Sequence, residues 1–127
     1  MADVKVGTFK PVGLDDRGYG FKWSAELSHS PNAGWKRTFH NELGVLAGIR
    51  NTTVHNPSFE GNRLTFAAPE NAAKAAADMI RDAVDKTNQQ AAKQEADAKR
   101  QFEADEKNRE EASQELKRAQ DKYRDGL

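Results

Sequence analysis

Residues 19–28 read YGFKWSAELS, and their alternation decides how the first half of the chain folds. Tyr19, Phe21, Trp23, Ala25 and Leu27 fall on one side, and Gly20, Lys22, Ser24, Glu26 and Ser28 on the other. A period of two sustained over this length is the pattern of a β-strand with one buried face. Such a strand needs paired neighbours and a lid over its apolar side, and the flanking sequence supplies both.

Upstream, Val4 to Val12 (VKVGTFKPV) is β-branched and aromatic enough for a strand, and Gly7 and Pro11 place it at a sheet edge. GLDDRGYG between the two runs is turn chemistry. Downstream, Ser30 before Pro31 reads as a helix N-cap followed by proline at the first helical position. Trp35, Phe39 and Leu43 then recur every fourth residue, which predicts an amphipathic helix from Pro31 to Leu43, stopped at Gly44. Val45, Ala47 and Ile49 alternate in VLAGIRNTTVH, which reads as extended. NPSFE, Gly61-Asn62 and RLTFAA form a hairpin pattern with Leu64 and Phe66 on one face.

Pro69 ends the sheet region, and PENAAKAAADMIRDAVDKT opens a helix. Ala73, Ala76, Ala77, Met79, Ile80, Ala83, Val84 and Thr87 make its apolar stripe. The predicted fold class is α+β: a small antiparallel sheet of about four strands in β-β-α-β-β-α order, covered by helices. A long charged C-terminal helix completes it. Two domains are expected, an α+β head over 1–88 and a charged, alanine-rich helical extension over 89–127.

The extension has a different composition. From Lys93 to Asp125, 19 of 33 residues are charged, and no Gly or Pro occurs before Gly126. Glu95–Lys99, Glu103–Lys107 and Asp105–Arg109 have the acid-first i,i+4 order that supports a helix by about 0.2–0.5 kcal/mol per pair. Ala91, Gln94, Ala98, Phe102, Asp105, Arg109, Ala112, Leu116, Ala119 and Tyr123 follow a mostly heptad spacing with one shift near Phe102. Large apolar residues are sparse along this seam, so any coiled coil is weak. Two readings stand side by side: a solvated, salt-bridged helix, and a helix that docks on another protein or on itself through Phe102, Leu116 and Tyr123.

Composition narrows the function. The 127 residues carry 20 basic and 20 acidic side chains, which gives no general attraction to a polyanion or an acidic membrane. With no cysteine, thiolate metal sites, disulfides and cysteine nucleophiles are excluded. MADVKVGTFK lacks the basic head and apolar run of a secretory signal, and GVLAGI is too short to span a bilayer, so a cytoplasmic protein is expected. His29, His40 and His55 have no metal-ligand spacing, and Asp15-Asp16 sits in a glycine-flanked turn. No serine has a nucleophile-elbow setting, and no loop has phosphate-binding glycines. No catalytic, cofactor-binding or metal-binding residue is therefore assigned.

The expectation is a non-enzymatic protein-interaction or assembly module, with a possible homodimer built on the C-terminal helix. The alternative is a nucleic-acid-binding module that uses the aromatics of the sheet with Lys10, Lys22, Arg37 and Arg63. Residues 1–69 carry eight basic and six acidic side chains, a weak basis for it.

Overall fold

A computed structural model describes residues 3–126. The elements follow the expected order: β1 (Lys10–Leu14), β2 (Phe21–Glu26), α1 (Ala33–Arg50), β3 (His55–Glu60), β4 (Arg63–Ala68) and α2 (Glu70–Lys122). The four strands form one antiparallel sheet ordered β1-β2-β4-β3, so the class is α+β. The chain divides into two units, Met1–Ala91 and Ala92–Leu127, and the boundary falls inside α2.

In the first unit, register sets the two faces of the sheet. Trp23 pairs with Phe66, Ala25 with Leu64, and Leu64 in turn with Phe59, so these side chains share the inner face. Leu64 and Phe66 are fully buried there, with Trp35, Phe39, Leu43 and Leu46 of α1 and Ala76, Met79, Ile80, Ala83 and Val84 of α2. Phe39 and Trp35 both set their rings edge-on to Phe59, at centroid distances of 5.3 and 6.1 Å. The stripe expected on α2 is buried from Ala73 to Thr87, with Ala77 partly covered.

Three expectations are corrected. Helix α1 does not stop at Gly44, and Val45–Ile49 is helical rather than extended. Leu46 continues the Trp35–Phe39–Leu43 stripe into the core, and that burial outweighs two helix-interior glycines. The cap is Asn32, whose Oδ1 accepts from the Trp35 N–H at 2.8 Å, rather than Ser30. The stop is Asn51, left-handed at φ 50°, whose N–H bonds to the Ala47 carbonyl.

Second, the first strand is shorter than Val4–Val12. Lys10–Leu14 is the ladder, and Val6 makes an isolated bridge to Leu27. Third, Tyr19 and Phe21 are not core residues: they remain 43% and 38% exposed, and burial along β2 sets in only towards Ala25 and Leu27. Ala68, the register partner of Phe21 on β4, is buried in the core, so cover that is complete on β4 is only partial on β2, and the alternation overstates its depth.

Candidate interaction surface

From Ala92 to Gly126 every residue is exposed. The segment is helical through Lys122 because Ala, Glu, Lys, Gln and Arg fill it and nothing interrupts them. Gly126, at φ 91°, donates its N–H to the Tyr123 carbonyl at 2.9 Å just past the helix end. Side-chain bonding along the segment is thin. Asp97 and Arg100 stand 4.0 Å apart with both side chains well exposed, a geometry that stabilises little. Gln101 Nε2 donates to Asp105 at 3.2 Å. Among the described residues, the expected Glu103–Lys107 and Asp105–Arg109 pairs do not close.

Three large apolar side chains break this polar surface. Phe102 is 63% exposed, Leu116 60% and Tyr123 47%. They lie two heptads and then one heptad apart, so they sit along one face of the helix. The residues singled out in the sequence thus share one stripe, where the apolar neighbours their own unit offers are the small side chains of Ala98, Ala112 and Ala119.

The head offers less. Both sheet edges are guarded against an added strand: β1 carries Pro11 and a register shift before Gly13, and β3 carries Pro57 and a shift between His55 and Ser58. The outer face holds an open hollow of about 630 Å³ between the β1–β2 turn and the start of β3. Its walls are tied to each other. Asp15 Oδ2 accepts the N–H groups of Arg17 and Tyr19 at 3.1 and 3.0 Å, and Arg17 donates to Asn56 at 3.1 Å. Lys22 in its floor is bound to Glu60 at 2.9 Å.

The groups needed by a nucleic-acid platform are on opposite sides. Lys10 and Lys22 share the outer face with Arg63, while Trp23 and Phe66 face the core, and Arg37 belongs to α1. Tyr19 stacks on His55 at 3.9 Å.

The histidines are dispersed. His29 Nδ1 lies 3.1 Å from Ser28 Oγ, and the His40 ring stands edge-on to Phe39 at 5.5 Å. Among the described residues, no group of three or more His, Cys, Asp or Glu side chains could hold a metal ion, and no helix is long and apolar enough to cross a membrane.

Sequence reading missed a residue that, with Arg81 on the Val6 and Gly7 carbonyls, fastens the N-terminal segment. Asn88 Oδ1 accepts from the Val4 N–H at 3.0 Å and from Trp35 Nε1 at 3.1 Å, and its Nδ2 donates to the Val4 carbonyl at 2.9 Å. A polar side chain one place beyond an apolar stripe carries no signal of that role. No protein-family model matches the chain, and neither the curated proteins nor the solved structures contain a match to it.

Proposed function

We propose that the protein is a non-enzymatic interaction or assembly module whose C-terminal helix takes up another protein, or a second copy, through Phe102, Leu116 and Tyr123. One observation carries the reading: the only large apolar side chains described in the second unit are heptad-spaced and exposed. Leaving them in water forfeits about 1.5–3 kcal/mol each relative to burial. A helix of charge and alanine gains nothing from them alone, whereas a partner helix can cover them.

The nucleic-acid reading has less support, because the basic and aromatic residues it needs are on different faces and the net charge is zero.

Light scattering over a range of concentrations tests the proposal. The full chain is expected to exceed the mass of one chain as concentration rises. Phe102→Ala with Leu116→Ala is expected to return it to a single chain while the head unfolds at the same denaturant concentration. An unchanged mass distribution in the double variant counts against the stripe.

A further inference from the structure

The stripe is nearly its own reverse. From Ala98 its members are spaced 4, 3, 4, 3 and 4 residues apart, through Phe102, Asp105, Arg109 and Ala112 to Leu116. That series reads the same in both directions, with its centre at Lys107. Chemistry reverses along with spacing. Reflection about Lys107 sets Phe102 against Ala112, Leu116 against Ala98, and Asp105 against Arg109. Each large side chain meets a small one, and each acid meets a base. All six are exposed, and among the described residues neither Asp105 nor Arg109 is engaged by an opposite charge, Asp105 accepting only from the Gln101 amide.

We infer that the occupant of this stripe is a second copy of the same helix, lying antiparallel about a twofold axis level with Lys107. The inference rests on the self-association arm of the proposed function and specifies its geometry.

A parallel pair meets two physical obstacles. It stacks Asp105 on Asp105 and Arg109 on Arg109 in successive layers, placing like charges where the helices are closest. It also alternates Phe–Phe and Leu–Leu layers with Ala–Ala layers, which no single interhelical distance can fill. The antiparallel pair removes both obstacles. Its layers are each one large and one small residue, and two Asp105–Arg109 pairs flank the axis. Polar pairs at such positions fix register and orientation at a cost in stability. The result is a weak, orientation-specific dimer. Glu106 stands near its own mate at the axis, but lies outside the stripe and can turn into solvent. By the same reflection Tyr123 falls opposite Ala91, which already packs against the head's core. The matched layers therefore end at Leu116.

The native chain has no cysteine, so single spin labels report without background. Lys107→Cys and Asp121→Cys place labels on the helix face away from the stripe. In the antiparallel dimer, dipolar spectroscopy is expected to read a short distance between labels at 107, under about 30 Å. Labels at 121 are expected roughly 40–50 Å apart, since 28 helical residues separate the two sites at 1.5 Å rise each. Asp105→Arg is expected to weaken the dimer at least about tenfold, and Asp105→Arg with Arg109→Asp to restore it.

Short distances at both sites, or failure of the double charge reversal to rescue, overturn the antiparallel register and leave self-association standing. A single-chain mass with no dipolar coupling at either site overturns self-association itself.

Discussion

Asn88 is the most consequential single side chain in the head. It satisfies both backbone groups of Val4 and the indole N–H of Trp35, tying the N-terminal segment and α1 to α2. Val4 is 1% exposed and Trp35 4%, so the groups left behind on its removal have little access to water. Asn88→Ala is expected to destabilise the head by about 2–4 kcal/mol, the cost of three lost bonds with buried partners unsatisfied. Urea unfolding followed by tryptophan fluorescence measures it, and a loss below about 1 kcal/mol would mean that the partners find water. Any truncation that isolates the head must keep this residue. Gly20 makes a comparable demand through space rather than bonding. At φ 98°, a Cβ there would lie 2.6 Å from the Pro69 backbone nitrogen. Neither role is legible in the sequence, because each depends on chain brought close from far along it.

At the scale of elements, α1 marks where sequence patterns stop being decisive. Val45, Ala47 and Ile49 do alternate, but Leu43 and Leu46 also continue a helical stripe, and only the second pattern buries its large residues. Val45 and Ile49 end up 56% and 74% exposed on the other side of α1. Gly44 looked like a stop because glycine commonly ends helices, yet here it is an interior residue with open space around its missing Cβ, as is Gly48. Each therefore costs helix stability with no packing in return. Gly44→Ala and Gly48→Ala are each expected to stabilise the head by about 0.5–1 kcal/mol, raising its melting temperature by several degrees. A loss of stability in either would mean that this face of α1 is covered in solution. The β3–β4 hairpin and the α2 stripe were legible, since their patterns agree with both local turn chemistry and burial. The shortfall in β1 and in the start of β2 was not. A strand pattern says which side chains share a face, and the reach of the helices above decides how many of them are covered.

At the scale of the whole molecule, the two units differ in what holds them. The first has a core of aromatic and aliphatic side chains from the sheet and both helices. The second has helix propensity, exposed polar contacts and, among its described residues, three large apolar side chains left uncovered. That contrast is plain from composition, which also singles out Phe102, Leu116 and Tyr123. The occupant proposed for them is not legible in the same way, because a single sequence does not carry a partner's residues. The contrast has a thermal consequence. Propensity and exposed ion pairs give a gradual, length-dependent helix transition, whereas a packed core melts cooperatively. Trp23 and Trp35 both lie in the head, so tryptophan fluorescence follows that unit alone, while far-ultraviolet circular dichroism follows both. On heating, helical ellipticity is expected to fall before the fluorescence changes. Under the proposed self-association, raising protein concentration is expected to move the early phase to higher temperature and leave the later one in place. Coincidence of the two signals at every concentration would mean that α2 melts as one cooperative helix with the head, and its second half would then owe its order to the core rather than to a partner.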